Sequence, residues 1–273
     1  MTGGERPVAV VTGAARGLGR VIALLLAQEG YDLALVDLAD LGAVASDVER
    51  SGAAALSWKA DVAIEAGVLG FVAEVRQHFG RVDVLVNNAG ISLLAPAEDT
   101  STDAWQRVID VNLTGPFLLC REFGRLMLSA GSGSIVNVAS VAGLRGVSRR
   151  VAYNASKHGL IGVTSTLAAE WGGRGVRVNA VCPGWIKTEM DVEDQASGAY
   201  SDSDITGQVP LARFASPADV AAAVAFLADP SKSGFINGVA LPVDGGWTSD
   251  GSWTSLRLET RRPPDRFRST PRQ

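Results

Sequence analysis

Histidine and cysteine are scarce. The 273 residues hold two of each: His78, His158, Cys120 and Cys182. Neither histidine clusters with Asp, Glu or Cys at a ligand spacing, so a catalytic metal centre is not expected. His78 lies near the C-terminal end of a helical stretch, where an imidazole is a dipole partner. The two cysteines sit in apolar segments, cannot build a disulfide framework, and read as buried structural thiols. A basic excess is also missing. Lys and Arg number 25 against 29 Asp and Glu, a net charge of −4, and this argues against nucleic acid as the main partner. No uncharged run reaches the ~18 residues that a membrane span needs. Residues Met1 to Pro7 lack the basic-then-apolar pattern of a secretion signal. The expectation is a cytoplasmic protein with no membrane partner. An apolar fraction of 47% with 20% charged residues can fill the core of one large α/β domain or two small ones.

Strand and helix patterns alternate along the chain. Val8 to Val11 is a short β-branched run, as expected of a buried parallel strand. It runs into Thr12-Gly13-Ala14-Ala15-Arg16-Gly17-Leu18-Gly19, and a helical apolar pattern starts at once with Val21, Ile22 and Leu24 to Leu26. Strand, glycine-rich turn and helix together make a glycine motif meaningful: the backbone can approach a pyrophosphate, and the helix N-terminus offers free N–H groups to it. The alternative is a plain tight turn. Asp32 to Asp37 reads as the second strand. Asp37 lies about 20 residues past the glycines, where a carboxylate can accept hydrogen bonds from adenosine ribose hydroxyls and repel a 2′-phosphate. This favours NAD over NADP. Arg16 pulls the other way, because a guanidinium in the turn could reach a 2′-phosphate.

Further strands are expected at 54–58, 82–86, 134–139, 176–181 and 239–243, with helices at 41–51, 64–79, 102–129, 151–171 and from the Ser216 cap to about 229. Asn112 is a polar interruption of the 102–129 helix near Gly115-Pro116 and needs a satisfied hydrogen bond or a function. Residues 185–210 lack strong periodicity and read as an irregular loop, of the kind that covers substrate pockets. From Asp250 onward six arginines face three acids and three prolines intervene, a composition expected of a poorly ordered tail.

Tyr153 and Lys157 are four residues apart on the 151–171 helix, so they share a face. A phenol near pKa 10 carries protons poorly at neutral pH. An ammonium beside it favours the phenolate and makes the pair a candidate general acid/base. Alone, such a pair is often an incidental neighbour contact. Ser140, after the fifth strand, reads as a cap or as a hydrogen-bond donor to a substrate oxygen.

Taken together, Thr12-Gly13-x-x-x-Gly17-x-Gly19, Asp61-Val62, Asn87-Asn88-Ala89-Gly90, Asn112, Ser140, Tyr153-x-x-x-Lys157 and Pro183-Gly184 resemble the single-domain, ~250-residue branch of the short-chain dehydrogenase/reductase family, from about Pro7 to Trp247. The resemblance implies an α/β fold: a doubly wound, mostly parallel, Rossmann-like sheet with helices on both faces. It implies one dinucleotide-binding and catalytic domain over 1–248, followed by the Arg/Pro-rich tail, 249–273. It implies catalytic roles for Asn112, Ser140, Tyr153 and Lys157. Tyr153 would move the proton and Lys157 would depress its pKa and bind the nicotinamide ribose. Ser140 would orient the substrate, and Asn112 would hold a water joining Lys157 to solvent. The implied dinucleotide contacts, besides Tyr153 and Lys157, are Gly13, Arg16, Gly17, Leu18, Gly19, Asp37, Asp61, Val62, Asn88, Gly90, Pro183, Gly184, Ile186 and Thr188. It also implies a homotetramer or dimer through helices at about 114–130 and 151–171.

The expected activity is NAD-dependent interconversion of a small-molecule secondary alcohol and a ketone. The runner-up is reduction of 3-oxoacyl groups on an acyl carrier. A third reading is a dinucleotide-binding protein without turnover, which would be expected to lose Tyr153 or Lys157; both are present. Expected pocket walls are Ser92, Leu93, Leu94, Val141, Gly143, Leu144, Trp185 and Met190, mainly apolar and with no fixed charge for a carboxylate other than Arg145 or Arg149.

Overall fold

The computed structural model describes residues 6–187 and 201–252. Seven strands form one sheet in the order β3-β2-β1-β4-β5-β6-β7. They are β1 (Val8–Thr12), β2 (Asp32–Asp37), β3 (Ala55–Lys59), β4 (Val84–Asn87), β5 (Gly133–Val138), β6 (Val176–Pro183) and β7 (Ala240–Val243). Every pairing is parallel. The expected doubly wound architecture is therefore present, with no antiparallel strand among the described residues.

The strands are near-continuous apolar runs because both faces are covered. Successive side chains alternate between the faces. Ala9, Val11, Leu33, Leu35, Val84 and Val86 meet α1 (Gly17–Gln28), α2 (Gly42–Arg50) and α8 (Pro217–Ala228). Val10, Ala34, Leu85, Ile135 and Val178 face α3 (Glu65–Phe79) and α5 (Gly115–Ala130), where Phe71 and Phe123 pack edge to face at 5.8 Å. Helix α6 (Val151–Trp171) crosses α5 closely: a Cβ on Gly124 would lie 2.6 Å from the Trp171 ring.

Two elements differ from the sequence expectation. The 102–129 helix is broken into α4 (Thr102–Ile109), a π-turn over Asp110–Thr114 that contains Asn112, and α5. The polar interruption is thus a local insertion in the helix, a device common at functional sites. Within the stretch expected to be irregular, Asp202–Thr206 forms a short helix, α7. Its signal was chemical, not periodic: Ser201 and Asp204 make a reciprocal capping box, and Ile205 is the residue it buries. Residues 188–200 of that stretch, and most of the Arg/Pro-rich C-terminus, lie outside the described residues. No described helix is long and apolar enough to cross a membrane.

Candidate active site

The strand order reverses between β1 and β4, and parallel sheets bind ligands in the crevice at the carboxyl ends of such strands. A cavity of about 720 Å³ opens there, within the size range of small-molecule and cofactor sites. It runs from the ends of β2 and β3 to the start of α6.

At its first wall the chain leaves β1 through a turn with Gly13 at φ 64° and Gly17 at φ 54°. Glycine is also required for close approach: a Cβ on Gly19 would lie 2.0 Å from the Gly13 carbonyl oxygen. Asn88 at the end of β4 braces this turn. Its Nδ2 donates to the Thr12 and Gly13 carbonyls at 2.9 and 3.1 Å, and the Thr12 hydroxyl accepts from the N–H groups of Asn88 and Ala89. Helix α1 then begins with no capping side chain and no acid in its first turn. Its positive end and unshared N–H groups are thus presented to the cavity, as an anion cradle requires.

Asp37 joins the same wall. One carboxylate oxygen accepts from Ala15 N–H and the other from Ala39 N–H, both at 2.9 Å. The charge is held in place at the end of β2, with acceptor capacity remaining on each oxygen. Asp61 accepts from Ala63 N–H and pairs with Arg107 at 2.8 Å; Val62 beside it is buried.

At the other end, Lys157 is buried on the cavity wall. Its Nζ donates to the Val138 carbonyl at 2.8 Å and lies 5.6 Å from the centre of the Tyr153 ring. Burial strips the ammonium of hydration and lowers its pKa to about 8. Ser140 lies two residues after β5 and accepts from Ala142 N–H at 3.1 Å, which shapes a one-turn 3₁₀ helix. That turn lies directly on α6, since a Cβ on Gly143 would come within 2.8 Å of the Lys157 carbonyl. Ser140 and Tyr153 are thereby brought to one cavity wall.

Asn112 is different. It is buried behind the wall, not on it. Its oxygen accepts from Ile91 N–H, and its Nδ2 donates to the Ile91 carbonyl and to Ser156 Oγ. Both amide hydrogens are therefore committed to pinning the segment after Gly90 against α6. The buried thiols agree with expectation: burial pushes Cys120 up to about 12 and Cys182 up to about 11, out of reactive range.

Comparison with known proteins adds to this geometry. A family model described as enoyl-(acyl carrier protein) reductase matches residues 13–248. D-threitol dehydrogenase of Mycolicibacterium smegmatis is 44% identical over 243 residues, 88% of this chain and 92% of the relative. The chain belongs to the short-chain dehydrogenase/reductase family. A 3-oxoacyl-(acyl-carrier-protein) reductase of Synechocystis sp. is 40% identical over 250 residues, 90% of this chain and 98% of the relative. A candidate NAD(P)-dependent gluconate 5-dehydrogenase from Beutenbergia cavernae, solved with NADP at low occupancy, superposes with a TM-score of 0.84 at 41% identity, covering 89% of this chain and 97% of that one. As a short-chain dehydrogenase/reductase, the chain is a nicotinamide-dinucleotide oxidoreductase acting on CH–OH groups.

The cavity of this short-chain dehydrogenase/reductase gathers most of the residues expected from the sequence. Gly13, Arg16, Gly17, Leu18, Gly19, Asp37, Asp61, Val62, Asn88 and Gly90 line its wall along the ends of β1 to β4, and Ser140, Tyr153, Lys157, Pro183, Gly184 and Ile186 its wall along β5, α6 and β6. Thr188 and Met190 lie outside the described residues. Of the expected substrate walls, Ser92, Val141 and Trp185 are on the cavity. Leu144 instead packs beside Leu160 and Ala180, and Gly143 abuts α6. The fixed positive charge is a correction. Arg149 is exposed, and Arg145 is exposed and donates to the Thr248 carbonyl; Arg150 is the one turned into the cavity. Arg107, facing Asp61, was also missed, because a lone arginine on a polar helix face carries no sequence signal of its own.

Proposed function

We propose that this chain is an NAD-dependent dehydrogenase that interconverts a secondary alcohol and a ketone, with Tyr153 as the proton carrier. The observation that carries this reading is the placement of Tyr153 and buried Lys157 on the same cavity as the uncapped N-terminus of α1. Glycines 13, 17 and 19 leave room for a pyrophosphate at that helix end, and Asp37 presents a held carboxylate for ribose hydroxyls. Asp61 and Val62 border the adenine, and Asn88 and Gly90 the pyrophosphate side. Pro183, Gly184 and Ile186 border the nicotinamide.

The bound dinucleotide supplies the carbon that takes or gives the hydride. During alcohol oxidation Tyr153, as phenolate, accepts the hydroxyl proton; during ketone reduction the phenol returns it to the oxygen. Lys157, as ammonium, favours the phenolate through its charge. Ser140 spends a lone pair on Ala142 N–H and keeps its own O–H to hold the substrate oxygen. Asn112 keeps the segment after Gly90 and helix α6 in register, so that Lys157 stays beneath Tyr153.

Residues 1–248 form the working domain and 249–273 a tail. The protein acts in the cytoplasm as a homo-oligomer, a dimer or tetramer. Exposed Phe117 on α5 and Val151 on α6 support an interface along those helices. The second reading, reduction of 3-oxoacyl groups on an acyl carrier, is favoured by the Synechocystis relative.

The test is a screen of secondary alcohols, sugars and 3-oxo thioesters followed by NADH fluorescence, on wild type and Tyr153→Phe. We expect an alcohol substrate for the wild type. In the variant, turnover should fall by orders of magnitude while NADH still binds. Retained turnover would remove Tyr153 as the proton carrier. Activity confined to 3-oxo thioesters would select the second reading.

A further inference from the structure

The proposed mechanism leaves one ion pair on the cavity wall without a task. Arg107 on α4 and Asp61, two residues past β3, both line the cavity. Arg107 Nη1 lies 2.8 Å from Asp61 Oδ2, and the two side chains are 43% and 23% exposed. At that exposure an ion pair adds little to stability. Its effect is on where the carboxylate stands. The other oxygen, Oδ1, accepts from Ala63 N–H at 2.9 Å. The torsion that turns a carboxylate about its own axis is soft. One anchor would leave Asp61 free to turn; an anchor on each oxygen fixes its plane. Both oxygens keep further acceptor capacity.

The backbone under this carboxylate is set as well. A Cβ on Gly115 would lie 2.8 Å from the Val62 carbonyl oxygen, so the start of α5 is pressed against the Asp61-Val62 segment. Val111, four residues after Arg107, lines the same cavity. The strand order then says what the pair would meet. Helix α1 follows β1, Asp37 ends β2 and Asp61 follows β3. These three strands are neighbours, about 4.8 Å apart at each step. A dinucleotide with its pyrophosphate on α1 and a ribose at Asp37 carries its base one step further out, toward Asp61. The amino group of an adenine donates there, and a carboxylate only accepts.

We infer that Arg107 is a positioning residue for the base: it holds Asp61 so that the carboxylate accepts a hydrogen bond from the adenine amino group. This rests on the proposed dinucleotide reading of the same cavity. A held carboxylate also rejects a purine with oxygen in place of that amino group, because two acceptors then face each other. Such a base carries a ring N–H one atom further along its edge. A carboxylate released by Arg107 can swing to that N–H, and a held one cannot. Arg107 thus sets the choice between an amino and an oxo purine through Asp61, without touching the base.

Fluorescence titration with two ligands tests the inference: NADH, and its hypoxanthine analogue, which carries oxygen in place of the adenine amino group. The proteins are wild type, Arg107→Met, Arg107→Lys, Asp61→Ala and the double variant Asp61→Ala/Arg107→Met. Wild type should bind NADH about tenfold or more tightly than the analogue, as a site built to pair with an amino group does. That ratio should fall at least about fivefold in Arg107→Met and by less in Arg107→Lys, which keeps the charge but not the planar fork. Adding Arg107→Met to Asp61→Ala should leave the ratio of Asp61→Ala unchanged within about twofold, since the tether then has nothing to hold. A purely structural role for Arg107 would weaken both ligands together and leave the ratio alone. Should Arg107→Met lose its cooperative melting, Arg107→Gln takes its place with the same thresholds. Wild type that does not favour NADH, a ratio unmoved in the neutral variant, or a further fall in the double variant would each overturn the inference and leave the dinucleotide reading standing. Wild type that binds neither ligand would overturn both.

Discussion

Lys157 is a buried charge with little hydration, and that gives a pH dependence. Its amine falls from 10.5 to about 8 in the folded chain. Between those values the unfolded chain holds the proton and the folded chain does not, so stability rises with pH across that window. Each unit corresponds to about 1.4 kcal/mol, roughly 3 kcal/mol in all. Urea unfolding of the cofactor-free protein at about pH 7.5 and 10.5 should show wild type gaining that amount relative to Lys157→Met. A constant difference between the two proteins would mean that the amine titrates as if exposed. Asp37 carries the second prediction at this scale. Wild type should bind NADH more tightly than NADPH, and Asp37→Ala should narrow or reverse the preference as the repulsion of a 2′-phosphate disappears. An NADPH preference in the wild type would overturn the cofactor assignment.

Elements hold these residues by close approach. The turn before α1 works because Gly19 lies against the Gly13 carbonyl with no room for a methyl group. Gly19→Ala must push that turn away from Asn88, and NADH affinity measured by fluorescence should drop at least tenfold. Unchanged affinity would show that the turn is not the dinucleotide cradle. This part of the site was readable in the sequence, because glycine spacing, strand ends and the Tyr153–Lys157 repeat are local patterns. Arg150 was not readable. It is one of three arginines within six residues, and its burial depends on Ala95, more than fifty residues away, and on Trp185. The bracing role of Asn112 was likewise half visible. A polar residue in an apolar helix signalled a special contact, but its partner Ile91 is a backbone group with no sequence signature.

For the whole molecule, a doubly wound parallel sheet followed from alternating strand and helix patterns together with the family resemblance. What joins the last strand to the rest did not, because it is polar. Arg177 on β6 donates to the Ser134 hydroxyl, to the Leu227, Ser233 and Ile236 carbonyls and to the Ser233 hydroxyl, all between 2.9 and 3.2 Å. Asn179 adds a bond to the Ile236 carbonyl. Half-buried Arg177 thus ties β5, the end of α8 and the approach to β7 into one unit. Arg177→Met should destabilise the fold by about 3 kcal/mol, because several carbonyls lose their donor at once. At roughly 2–4 °C per kcal/mol for a chain of this size, melting should fall by about 10 °C. Arg177→Lys should recover little, since one ammonium cannot span that fan of acceptors. A loss under about 1 kcal/mol would mean the network is dispensable.

The neighbour of β1 on its inner side is β4, with Ala9 opposite Val84. On a ribosome these two segments are born 75 residues apart, the difference between 84 and 9. At about 5–20 residues per second, that gap lasts roughly 4–15 s. Throughout it, one edge of β1 stands bare, and the Thr12 hydroxyl awaits the N–H groups of Asn88 and Ala89. The newborn polypeptide therefore cannot complete the turn that faces the nucleotide until nearly a third of it has been translated, and an apolar strand edge stays open until then.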